Sequence, residues 1–109
     1  MLKDKVIAIT GATGAIGSAL AKGVIDNGGK VIIGDVSKSK GMQLQEKLGK
    51  KNCAFFYVDV RDPESIDEFI YKGANLFKKI DAAIHSAYPR SKQWGTSFEN
   101  LKPEGLAED

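Results

Sequence analysis

Thr10-Gly11-Ala12-Thr13-Gly14-Ala15-Ile16-Gly17-Ser18-Ala19-Leu20 follows directly on the apolar run Lys5-Val6-Ile7-Ala8-Ile9. The run is short, rich in β-branched residues and bounded by Gly11, which reads as a buried strand from Lys5 to Thr10. Beyond the glycines, Ile16, Leu20 and Val24 recur at helical spacing until Asn27-Gly28-Gly29 stops the pattern. Strand, glycine turn and helix therefore make the first unit. A helix start presents unpaired N–H groups and the positive end of the helix dipole, so an anion is welcome wherever the backbone can come close.

The same alternation continues outward from that unit. A second strand, Lys30 to Asp35, is followed by a polar helix from about Ser37 to Leu48, with Leu44 and Leu48 on one face and Gly49 ending it. A third strand runs from Cys53 to Val58. Asp62-Pro63-Glu64 then reads as N-cap, first-turn proline and first-turn acid, opening a helix on which Ile66, Phe69, Ile70, Ala74 and Phe77 keep the 3.6-residue period. Asp81 to His85 reads as a fourth strand, and Tyr88 to Gly95 as irregular chain. Strands that are apolar on both faces and alternate with helices predict an α/β fold: a doubly wound parallel sheet of the Rossmann type, with helices on both faces. Such a fold ordinarily has six strands. About four are legible here, so residues 1–109 are expected to be the N-terminal part of a larger domain whose second half is absent.

Composition narrows the function classes. In 109 residues, 42% are hydrophobic and 28% charged, as in ordinary globular proteins. The 16 basic and 14 acidic residues nearly cancel and are scattered, which excludes the footprint of a nucleic-acid or membrane-surface binder. No apolar run nears the ~20 residues needed to span a bilayer. A single cysteine, Cys53, lies in the apolar run Cys53-Ala54-Phe55-Phe56-Tyr57 and suits a reducing compartment. With no secretory leader legible at the N-terminus, a cytoplasmic location is expected.

The glycine turn has a partner. Gly11 suits a tight turn out of the strand, Gly14 a close approach of a pyrophosphate, and Gly17 close packing of helix on sheet, while Thr13 and Ser18 add hydroxyls nearby. Asp35 ends the second strand 18 residues beyond Gly17, near the ~20 expected for the acid that accepts hydrogen bonds from an adenosine ribose. No Gly-Lys-Ser/Thr follows the turn, so it is not a Walker phosphate loop. A carboxylate beside the ribose repels a 2′-phosphate, and no Lys or Arg lies within Ala12 to Ser18 to neutralise one. NAD is therefore the expected cofactor and NADP is disfavoured; Lys38 is the dissenting charge, read as an exposed helix residue.

These residues resemble the nucleotide-binding half of the short-chain dehydrogenases/reductases, on Thr10 to Gly17, Asp35, Asp59-Val60 and His85-Ser86-Ala87-Tyr88. The resemblance covers nearly the whole chain. It implies that Gly11, Thr13, Gly14, Ala15, Ile16 and Gly17 hold the dinucleotide, that Asp59 and Val60 line the adenine pocket, and that His85, Ser86 and Ala87 flank the cofactor. Two departures blur the branch. Ala15 stands where the commonest pattern has its middle glycine, and His85-Ser86-Ala87 replaces Asn-Asn-Ala. The spacing Gly11, Gly14, Gly17 is similar to the extended branch that acts on nucleotide sugars. Ala87-Tyr88-Pro89-Arg90 with Trp94-Gly95 also looks like members associated with surface-glycan and flagellin modification.

The family's chemistry is hydride transfer between a nicotinamide and a carbonyl or alcohol carbon, with a Tyr-x-x-x-Lys pair as acid/base. One such pair exists, Tyr88 and Lys92, but it directly follows the fourth strand, whereas the family's pair follows the fifth, and Pro89 opposes a helix interior there. It is read as a decoy lining the substrate side, so no catalytic residue is assigned. His85, the only histidine, has no thiols or carboxylates at ligand spacing, and no metal site is expected. Trp94 and Phe98 either cap a pocket or join a core. The expected role is cofactor binding within an NAD(P)-dependent oxidoreductase acting on a small molecule such as a sugar or sugar nucleotide. A complete, non-catalytic nucleotide-binding or interaction module is the competing class, and a doubly wound domain for another adenine nucleotide the third. An uncovered sheet edge would favour self-association, which leaves room for a homo-oligomer.

Overall fold

β1 (Val6–Thr10) sits inside a four-stranded parallel sheet, between β2 (Lys30–Asp35) and β4 (Ala82–His85), with β3 (Cys53–Tyr57) beyond β2. The computed structural model describes residues 1–86. Residues 87–109, which include Ala87, Tyr88, Lys92, Trp94 and Phe98, lie outside the described residues.

The sheet order β3-β2-β1-β4 has one functional consequence. The chain steps from β1 to β2 to β3 in one direction and then returns to place β4 on the other side of β1. The ends of β1 and β4 thus flank a switch point, the place where open parallel sheets leave a crevice. Ile9 pairs with Ile33 on one side and Ile84 on the other, and Thr10 with Gly34 and His85. Strand geometry sends alternate residues to opposite faces. Ile7 and Ile9 accordingly join Val31, Ile33 and Cys53 under α1 (Ala15–Asp26) and α2 (Lys38–Leu48), whereas Val6, Ala8 and Ile32 join Val58 under α3 (Pro63–Phe77), whose Phe69 is fully buried. Helices therefore cover both faces, as expected. Burial also pushes the Cys53 thiol up to about 12, so it serves as an unreactive core side chain.

Element boundaries fall within a residue of the sequence expectation. The face of α1 is different. Gly17, Ala21 and Val24 are its buried residues, while Ile16 is 59% exposed and Leu20 36% exposed. Small residues let the helix backbone lie close to the sheet, and that close approach rotates the larger Ile16 and Leu20 outward. On α3, Ile66 and Phe77 pack beside Phe69 against the core, whereas Ile70, expected on the same face, is exposed. The helix ends at Lys78 in the left-handed region, φ 74°, with no glycine to announce it. Asp81 falls outside the last strand; its carboxylate accepts the Val6 N–H at 2.8 Å and so fastens the entry of β1.

The edges differ as well. Gln45 of α2 reaches over β3, where its Oε1 accepts the Phe55 N–H at 2.8 Å. Among the described residues β4 forms the opposite edge and is largely exposed.

Candidate functional site

The turn after β1 is built by two glycines, one suited to its backbone angle and one to its close packing. Gly11 takes φ 70°, a left-handed conformation that glycine adopts freely. A Cβ on Gly17 would stand 2.4 Å from the Gly11 carbonyl oxygen, 2.7 Å from the Ala12 Cα and 2.8 Å from the Ser86 Oγ. The first turn of α1 is therefore pressed directly onto the end of β1. Ala12 is fully buried, and its N–H donates to the Gly34 carbonyl at 3.2 Å, tying the turn to β2.

Gly14 is different. It has φ −74° and ψ 171°, which any residue adopts, and a Cβ there would meet only the Gly11 oxygen at an ordinary 3.6 Å. The fold does not ask for glycine at this exposed position. Gly14 is also the N-cap of α1, where Ser, Asp or Asn would ordinarily satisfy the first N–H groups. Among the described residues no side chain caps this helix, and no acid lies in its first turn. The helix start is thus open, among the described residues, where the dipole is positive.

Asp35 stands beside that helix start. Its Oδ2 accepts the Thr13 hydroxyl at 2.6 Å and the Thr13 N–H at 3.1 Å, and its Oδ1 accepts the N–H groups of Val36 at 2.7 Å and Ser37 at 3.4 Å. Burial pushes the carboxyl up, but the hydrogen bonds from Thr13, Ser37 and Val36 outweigh it and hold Asp35 below its ordinary value. It is a charged carboxylate at neutral pH. The ammonium of Lys38 lies over the Tyr57 ring, 5.5 Å from its centre.

At the end of β4, Ser86 pins the turn from the far side. Its N–H and hydroxyl both donate to the Thr10 carbonyl, at 3.0 and 2.7 Å, and the hydroxyl also reaches the Gly11 carbonyl at 3.3 Å. His85 is exposed, and its Nδ1 lies 2.7 Å from the Thr10 Oγ1. Beyond β3, Arg61 grips both oxygens of Asp59 at 3.1 Å and donates its N–H to Oδ1 at 3.0 Å. The Arg61 side chain and N–H hold the Asp59 carboxyl below its ordinary value. Val60 packs against the core beside Val58 and Phe69.

Gly11, Thr13, Gly14, Ala15, Ile16 and Gly17 thus form one turn, with Asp35 bonded to it and His85 and Ser86 across the switch point. Asp59 and Val60 lie farther out, after β3. Ala87, Tyr88 and Lys92 fall outside the described residues. The Ser18 hydroxyl donates back to the Ala15 carbonyl at 3.3 Å and faces its own helix. Thr10 was not singled out in the sequence, nor was Ser86 as the pin of the turn; both act across 75 or more positions, where periodicity and spacing carry no signal. Together these groups offer N–H donors to an anion with a charged carboxylate beside them, which fits a dinucleotide. Among the described residues no group of three or more His, Cys, Asp or Glu could hold a metal ion, and no helix is long and apolar enough to cross a membrane.

Comparison with known proteins gives a consistent set. The family model described as short chain dehydrogenase matches residues 5–105. A post-translational flagellin modification protein A of Campylobacter coli is 34% identical over 98 residues, covering 87% of this chain and 38% of that protein. An uncharacterized oxidoreductase of Staphylococcus saprophyticus is 31% identical over 86 residues, covering 79% of this chain and 35% of its own length. Among solved structures, a 3-ketoacyl-(acyl-carrier-protein) reductase from Brucella melitensis, complexed with NADH, superposes with a TM-score of 0.74 at 23% identity, covering 98% of this chain and 43% of that one. The chain therefore spans well under half the length of these relatives.

Proposed function

The chain belongs to the short-chain dehydrogenase family, and we propose on that premise that it forms the dinucleotide-binding portion of an oxidoreductase. The bound nicotinamide would supply or take a hydride at a carbonyl or alcohol carbon. The described residues bind and orient. The open start of α1 receives the pyrophosphate, Asp35 receives the adenosine ribose, Val60 and Asp59 border the adenine, and His85 and Ser86 border the crevice between β1 and β4. One observation carries this reading: at Gly14 the backbone does not need a glycine, and among the described residues no side chain caps the helix start there.

We favour NAD over NADP because Asp35 is charged and a 2′-phosphate beside it would meet a like charge. The acid/base residues lie, on this reading, in neither Tyr88 nor Lys92. The substrate class we favour is a sugar or sugar nucleotide, in keeping with the resemblance to glycan- and flagellin-modifying members, and the setting is cytoplasmic.

Calorimetric titration of the chain with NADH and NADPH tests the cofactor reading. NADH is expected to bind at least about tenfold more tightly, a difference of about 1.4 kcal/mol. Asp35→Ala should narrow that gap. Binding of neither dinucleotide would end the proposal, and equal binding of both would end the preference.

A further inference from the structure

The Asp35 carboxylate has more donors around it than a ligand-receiving group needs. An ionised carboxylate offers about four lone-pair sites. In this chain four hydrogen bonds already reach it, from the Thr13 hydroxyl, the Thr13 N–H, the Val36 N–H and the Ser37 N–H. Both bonds on Oδ2 come from Thr13, while on Oδ1 the Val36 N–H is short and the Ser37 N–H long at 3.4 Å, so a ribose hydroxyl that approaches Oδ2 competes with Thr13. Three of the four donors are backbone groups, fixed by the glycine turn and by the entry to α2, and they leave only if the main chain moves. The fourth is a side chain, makes the shortest contact at 2.6 Å, and can leave by rotation about one bond. Thr13 and Asp35 are both only partly buried, so the exchange needs no opening of the core.

We infer that Thr13 is a positioning residue whose hydroxyl occupies, in the free chain, the acceptor site on Asp35 that the adenosine ribose takes on binding. The inference rests on the proposed contact between Asp35 and the ribose and adds a competitor to it. With the hydroxyl in place, Oδ2 is occupied and the carboxylate is charged and held before the ligand arrives. The net gain from the ribose diol is then the difference between two hydrogen bonds, smaller than an empty carboxylate would give. Thr13 thereby sets how strongly this chain reads the ribose.

The test compares NADH with an NADH analogue lacking both hydroxyls of the adenosine ribose, with dissociation constants measured by calorimetry. The quantity of interest is the ratio of the two, which isolates the diol. Thr13→Val keeps the branched shape and removes the hydroxyl, and the ratio should rise about three- to tenfold, the worth of one hydrogen bond. Thr13→Ser restores a hydroxyl and should return the ratio to the wild-type value. A purely structural Thr13 would shift both constants together and leave the ratio unchanged, which would overturn the inference. A ratio that falls in Thr13→Val would overturn it too, because the hydroxyl would then assist the ribose. Asp35→Ala separates the two claims. If it leaves the wild-type ratio unchanged, the ribose contact itself is wrong; if it brings the ratio toward one while Thr13→Val leaves it unmoved, only the competition is wrong.

Discussion

The starts of α3 and α1 solve the same problem in opposite ways. Both helices begin beyond the carboxyl ends of the parallel strands, each after a strand. At α3, Asp62 accepts the Glu64 N–H at 3.0 Å, Pro63 removes a donor that would need a partner, and Glu64 sets a negative charge in the first turn. At α1 the N-cap is Gly14, without a side chain, and the first turn holds no acid. One helix start is capped by its own side chains and the other, among the described residues, is not. The difference teaches that two helices following strands of one sheet need not be finished alike, and on the proposed function the unfinished start of α1 is the one that receives a ligand.

The comparison breaks most severely at Gly17, because the open helix start depends on α1 being pressed onto β1. Gly17→Val would drive a side chain into the Gly11 carbonyl, the Ala12 backbone and Ser86. The expected loss is about 3 kcal/mol of stability, read as a lower urea midpoint, with dinucleotide binding abolished. An unchanged midpoint would mean the turn can shift to make room.

A gentler change converts one helix start into the other. Gly14→Asp supplies both the missing cap and the missing acid. It should raise stability by about 0.5–1 kcal/mol while weakening NADH at least about tenfold, since the carboxylate fills and repels at the same point. If affinity is untouched, the pyrophosphate sits elsewhere. The reverse change at the other helix, Asp62→Ala, should cost about 1 kcal/mol in the urea midpoint and leave NADH affinity as it was.

These two helix starts also show how much was legible in the sequence. Asp62-Pro63-Glu64 is a local signal, three consecutive residues each with a fixed place, and the structure has each where it was expected. The glycine turn and Asp35 were legible for a similar reason, because spacing along one strand-turn-helix unit carries them. The buried face of α1 was not. Ile16, Leu20 and Val24 form a fair apolar stripe, yet the sheet selects Gly17, Ala21 and Val24, because close approach outweighs side-chain size there. The bonds from Thr13 to Asp35, Thr10 to His85 and Ser86 to the turn join residues 22 to 76 positions apart, and only the folded sheet brings them together.

The smallest expected effect concerns acid. The folded carboxyl of Asp35 lies below its ordinary value of 3.8, because its four hydrogen bonds outweigh burial. Its contribution to stability is therefore fully present above 3.8 and is lost as pH falls below it, through the lower folded value. Asp35→Asn should flatten that part of the acid limb in urea midpoints measured against pH. An acid limb unaltered by Asp35→Asn would show that the Thr13 and loop donors do not favour the charged form.

The most direct measurement is an amide-resolved NMR titration of the chain with NADH. The account predicts large shifts at the N–H groups of Ala15, Ile16 and Gly17 and at Thr13, with Glu64 and Ser65 at the start of α3 staying in place. Saturable binding that leaves Ala15 to Gly17 unmoved would contradict it.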